Sequence, residues 1–135
     1  KLAQAGVSRG TSSLFILEGV LMYLKPASVA ATMQTISDFA AKSSRVVFDY
    51  VHACVLKGEG RFYGEEQINQ MVSDAGERWH SGIEEDGVES FLARFGLSLI
   101  EHKQAADMER DYFTDSQGKR MARINGAHAL VTAIK

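Results

Sequence analysis

In the stretch LFILEGVLMYL, residues 14–24, four apolar residues run straight into a carboxylate, Glu18, and a glycine, Gly19, before hydrophobic residues resume. An unpaired carboxylate in the interior is costly, or shifts its pKa until it is neutral. Glu18 therefore either stands at the end of a strand facing a cleft or is a buried ion-pair partner. The run RVVFDYV, 45–51, repeats the arrangement and leads apolar residues into Asp49. In open α/β sheets ligands sit outside the carboxyl ends of the strands. The pattern thus aligns Glu18, Gly19, Asp49 and Tyr50 along one rim, where Gly19 permits close approach of a ligand or of backbone. The competing structural role for either acid is a helix cap or a lysine pair.

Other residues carry weaker signals. Tyr23, five residues beyond Glu18, suits stacking on a ligand ring or donating its hydroxyl, and equally suits half-buried packing. Trp79 and His80 fall in a loop that could close over a cleft, although a lone loop histidine is usually just solvated. His52 and Cys54 sit two apart, but the chain has one cysteine and no well-spaced histidine pair, so no metal site is expected. GEGRFYG, 58–64, looks like a dinucleotide loop but has the wrong glycine spacing and lacks the strand–turn–helix setting. The acids of EEDG, 84–87, favour a helix N-terminus, and GKRMAR, 118–123, reads as a solvated turn.

The elements that must position these residues follow from periodicity. Residues 1–5 read as the last turn of a helix, with Gly6 as its left-handed cap. Leu14–Leu17 has the continuous apolar pattern of a strand covered on both faces. Pro26 opens an amphipathic helix, 26–42, marked by Val29, Met33, Ile36 and Phe39. With the strand at 45–51 this is a βαβ unit, whose strands should be parallel. Beyond it lie a weaker helix at 65–75, a loop at 76–83 and a helical stripe, Val88, Phe91, Leu92 and Phe95, ended by Gly96. A strand at 97–103, a polar segment at 107–126 with one short helix, and a last strand at 128–135 complete an α/β chain.

The chain's 135 residues fit a single domain, and hydrophobic residues at 45% with charged residues at 24% fit a folded core. A formal charge of -2 offers no case for nucleic acid or an anionic membrane surface. No apolar run has the length of a membrane span, and no signal peptide is visible. A single cysteine suits a reducing cytoplasm. The chain opens on Lys1 rather than methionine, which fits a piece of a longer protein.

Residues 14–51 resemble the leucine carboxyl methyltransferase family of class I S-adenosylmethionine-dependent methyltransferases. That family has an apolar strand ending in E-G-L/V-x-x-Y-L, a proline-started helix, and a strand ending in an acid and an aromatic. GERWHSGI, 76–83, is similar to its G-E-P-F/W-x-x-G-I loop, with Arg78 where the family has proline, and RINGAHALVTAIK, 123–135, to its closing strand. The resemblance implies the C-terminal half of a Rossmann-like sheet, strands four to seven with the last antiparallel. The strands, at about 13–18, 45–51, 97–103 and 127–135, would then lie in the spatial order first, second, fourth, third. The family's glycine-rich cofactor loop and ribose-binding acid belong to strands one to three, and no equivalent occurs here.

The implied activity is S-adenosylmethionine-dependent O-methylation of a small-molecule or peptide carboxylate or hydroxyl, carried by the complete enzyme rather than by residues 1–135 alone. Glu18 and Gly19 would contact the cofactor, and Tyr23, Asp49, Tyr50, Trp79 and His80 would shape the acceptor pocket. The alternatives are a non-catalytic α/β protein-interaction module and half of a dinucleotide-dependent oxidoreductase. With strands one to three missing, Leu14–Leu17 would form an exposed sheet edge prone to self-association.

Overall fold

The computed structural model of the chain describes residues 3–6 and 8–135. Strands β1 (Leu14–Leu17), β2 (Arg45–Val51), β3 (Ser98–Lys103) and β4 (His128–Ile134) form one sheet in the order β1-β2-β4-β3. β1 and β2 pair in parallel, and β4 runs antiparallel to both of its neighbours. This is the order that the family resemblance implies, with the last strand inserted between the second and third.

Among the described residues five α-helices connect the strands: α1 (Pro26–Phe39), α2 (Ala53–Leu56), α3 (Glu65–Asp74), α4 (Val88–Ala93) and α5 (Ala105–Tyr112). α1 ends three residues sooner than its apolar spacing implies. Ala40 is already extended, although its N–H still reaches the Ile36 carbonyl at 2.8 Å. The chain then turns through Ser43, at φ 75°, so that buried Ser44 can accept the Ser13 N–H and Arg45 can bond the Ser13 carbonyl. Entry into the β1–β2 ladder thus wins over another helical turn. α2 is too short to show a period and has no counterpart in the sequence reading. Ala3–Ala5 forms a 3-10 turn before Gly6 at φ 86°; Lys1 and Leu2, assigned to the same turn, lie outside the described residues.

Strand alternation puts Val46, Phe48 and Tyr50 on the same face as Ala129, Val131 and Ala133, where Val29, Met33 and Ile36 of α1 and Val88, Leu92 and Phe95 around α4 close the core. A polar clasp ties its layers: the Ser37 hydroxyl donates to the Phe95 carbonyl at 2.6 Å and accepts from the Lys135 ammonium at 2.5 Å. A second cluster, Met22, Val51, Cys54, Val55 and Ala127 with Phe62, Ile68 and Trp79, fills the end of the sheet where β2 finishes.

β1 departs from its expected burial. Phe15 and Leu17 pack on the main core, but Leu14 and Ile16 are 60% and 62% exposed. The strand is covered on one face only. It is also the edge of the sheet, and its outer side continues into a shallow apolar groove with Thr32, Thr35 and Ile36 of α1.

Candidate functional site

The parallel strands β1 and β2 end together, and there the acids diverge in role. Glu18 is exposed, and its carboxylate has no ion pair or hydrogen bond among the described residues. Asp49 is engaged: its Oδ1 accepts the Gly19 N–H at 2.7 Å. Gly19 sits at φ +63° with no atom within 4 Å of where a Cβ would lie, so the turn needs glycine for its backbone and leaves open space beside it. Glu18 and Asp49 share a recess of about 240 Å³ with Ile16, Val47 and Leu130. The question raised by the acid after LFIL thus resolves in favour of the cleft.

The residues assigned to an acceptor pocket separate into groups. Tyr50 points into the core face, where its hydroxyl lies 3.0 Å from His102 Nε2. Burial pushes that hydroxyl's pKa above its ordinary range, and the charge of Glu85 adds to the effect. Tyr50 also lines a second cleft of about 320 Å³ with Leu21, His80, Ser81, Phe91 and Arg94. His80 is held there by its backbone, whose N–H donates to the Met22 carbonyl at 2.7 Å, and the Ser81 hydroxyl donates to the Leu24 carbonyl. The loop 79–83 thus lies across the end of β2. Arg94, absent from the sequence reading, is an off-stripe cation at the end of α4 and gives this cleft a positive group.

Trp79 and Tyr23 lie elsewhere. Trp79 packs into the second cluster, its ring edge-on to His128 at 5.2 Å between centroids, and Tyr23 is 38% exposed at the end of a 3-10 turn. His52 is 1% exposed, stacked on Phe62 and edge-on to Tyr50. Both of its ring nitrogens, and the indole nitrogen of Trp79, are buried without a hydrogen-bond partner among the described residues. Burial is the main cause that lowers the pKa of His52, opposed by Glu85 and assisted by His102, His128 and Arg61.

Residues 1–37 match the family model Leucine carboxyl methyltransferase. Over that segment the chain is similar to the leucine carboxyl methyltransferase family. The matched segment holds β1, Glu18, Gly19 and most of α1, the part of the site described above. No curated protein matches the chain by sequence.

Solved structures share its fold. The magnesium protoporphyrin IX methyltransferase ChlM from Synechocystis PCC 6803, with bound SAH, aligns at a TM-score of 0.53 and 15% identity over 100% of this chain and 48% of its own. A possible exported protein from Bordetella parapertussis aligns at 0.58 and 14% identity over 95% and 40%. LepI in complex with SAM aligns at 0.51 and 16% identity over 96% and 28%. At these identities the likeness is one of fold, and the chain spans half or less of each. Among the described residues no helix is long and apolar enough to cross a membrane.

Proposed function

We propose that this chain is the carboxyl-terminal part of an S-adenosylmethionine-dependent O-methyltransferase. The observation that carries the reading is Glu18: a carboxylate without a partner among the described residues, at the end of a parallel strand, beside an open recess and inside the matched family segment. S-adenosylmethionine supplies an electrophilic methyl group on a sulfonium. Glu18 holds the cofactor by a charge-assisted hydrogen bond, and the open space at Gly19 admits it. Asp49 fixes the Gly19 turn and acts as a positioning residue.

The acceptor lies in the cleft of Tyr50, His80 and Arg94. A carboxylate acceptor pairs with the Arg94 guanidinium and arrives already ionised at neutral pH, so the site needs no general base. Alignment and exclusion of water then supply the catalysis. The cofactor's glycine loop and ribose-binding acid come from strands one to three, which belong beside β1. Without them, the apolar edge pairs weakly with a second copy. The lone buried cysteine, Cys54, fits a cytoplasmic protein.

Methyl-labelled S-adenosylmethionine incubated with the complete enzyme and carboxylate-bearing acceptors tests the reading. A methyl ester releases its label as methanol in base, whereas a methyl ether keeps it. Label in neither form, across carboxyl and hydroxyl acceptors, counts against methyl transfer.

A further inference from the structure

Two segments that looked inert in the sequence, GEGRFYG and GKRMAR, converge in space. Together with the first turn of α5 they enclose a cavity of about 290 Å³ whose wall carries Arg61, Arg120, Arg123, Phe62, Tyr63 and Glu109. The cavity lies on the rim where β3 ends and β4 begins, the same end of the sheet at which β1 and β2 finish. Ligands of α/β sheets bind at that end.

Its walls are fastened. The buried carboxylate of Glu65 accepts the Gly60 and Phe62 N–H groups at 2.9 and 3.1 Å. The Gly126 N–H donates to the Tyr63 carbonyl at 2.8 Å, and the Asn125 amide donates to the Gly64 carbonyl at 2.6 Å. Gly126 packs closely here, since a Cβ there would lie only 3.2 Å from the Phe62 Cβ. The Arg61–Gly64 segment is therefore locked against the entry to β4 rather than loosely solvated.

The three arginines are exposed, and their charges are arranged unequally along the cavity wall. Arg120 Nη1 pairs with Glu109 at 2.9 Å, and Arg61 Nη2 with Glu85 at 3.1 Å, each through one nitrogen of a guanidinium that has further donors. Glu109 is buried and both of its oxygens are engaged, one by the Ile124 N–H and one by Arg120. Arg123 forms no ion pair among the described residues; its guanidinium instead lies 3.9 Å from the centre of the Tyr63 ring. Stacking fixes its plane and leaves its fork free for an oxyanion.

We propose that this cavity binds a multiply charged oxyanion, a phosphate or a polycarboxylate, with Arg123 as the principal contact and Arg120 and Arg61 supporting it. The site stands apart from the methyl-transfer reading and is tested by binding alone. Isotope-labelled chain is titrated with inorganic pyrophosphate and, separately, with citrate at constant ionic strength, and the amides of Ala105, Ala106 and Gly126 are followed by NMR.

Saturable shifts confined to the cavity are expected, and the tighter of the two probes assigns phosphate or carboxylate as the preferred group. Arg123→Gln, which breaks no ion pair, should keep the native spectrum and weaken binding about ten-fold, the effect of one charge-assisted contact. Arg45→Gln, at the far end of β2, should leave binding unchanged. Wild-type affinity in Arg123→Gln, or equal shifts with chloride, would overturn the proposal.

Discussion

The carboxylate of Asp49 accepts the backbone N–H of Gly19 at 2.7 Å, lacing the end of β2 to the turn that follows β1. The contact joins residues thirty positions apart and holds Glu18 at the mouth of its recess. One acid of the rim is thereby engaged by the turn, and the other has no partner among the described residues.

Asp49→Ala should destabilise the chain by about 1 kcal/mol, a typical net value for one hydrogen bond, since this one lies near solvent. Asp49→Asn keeps an acceptor and should cost less. Urea unfolding of both variants, together with exchange of the Gly19 amide, checks this; protection of that amide unchanged in Asp49→Ala would contradict it.

Burial is the largest cause lowering the pKa of three histidines, His52, His102 and His128. Each is neutral in the folded state at pH values where the unfolded chain, titrating near 6.5, binds protons. The unfolded state gains protons first on acidification, so stability is complete above about pH 6.5 and is lost as pH falls below it. Asp107, Glu109 and Asp111, whose pKa values are held below the ordinary carboxylate range by their hydrogen bonds, add their loss only in more acidic solution. Denaturant midpoints measured from pH 7.5 to pH 5.0 should fall steadily, and His52→Phe should flatten that slope. A midpoint independent of pH across this range would refute the assignment.

The edge strand makes a separate prediction. Ile16 is exposed on the open face whereas Phe15 packs on the core, so Ile16→Lys tests the edge without disturbing the interior. Full burial of an aliphatic side chain contributes about 1.5–3 kcal/mol, and association costs an estimated 4–15 kcal/mol in lost freedom. Two exposed residues therefore support only weak pairing. Sedimentation over a concentration series should show reversible association that Ile16→Lys abolishes; a monomer at every concentration would show that the edge does not pair.

Much of this architecture was legible in local sequence. The runs before Glu18 and Asp49, the proline at the head of α1 and the stripe through Val88, Leu92 and Phe95 each carry their period within a few residues, and each became the expected element. What was illegible is tertiary. Leu14–Leu17 reads as doubly covered because an apolar run does not reveal which element covers each face. The division of labour between Glu18 and Asp49 depends on a contact across the β1–β2 pair. The arginine cavity draws on residues from 61 to 126, and no spacing rule connects them. Arg94 joined the cleft of Tyr50 and His80 for a similar reason, since only the seating of α4 beside the loop 80–83 brings it there.

The central claim is that Glu18 holds S-adenosylmethionine. Calorimetric titration of the complete enzyme with the cofactor, for wild type, Glu18→Gln and Glu18→Ala, tests it most directly. Loss of a charge-assisted hydrogen bond costs about 1.5–3 kcal/mol, so both variants should bind one to two decades more weakly while their unfolding midpoints stay near that of the wild type. Affinity unchanged in both variants would contradict the account and leave Glu18 a surface acid.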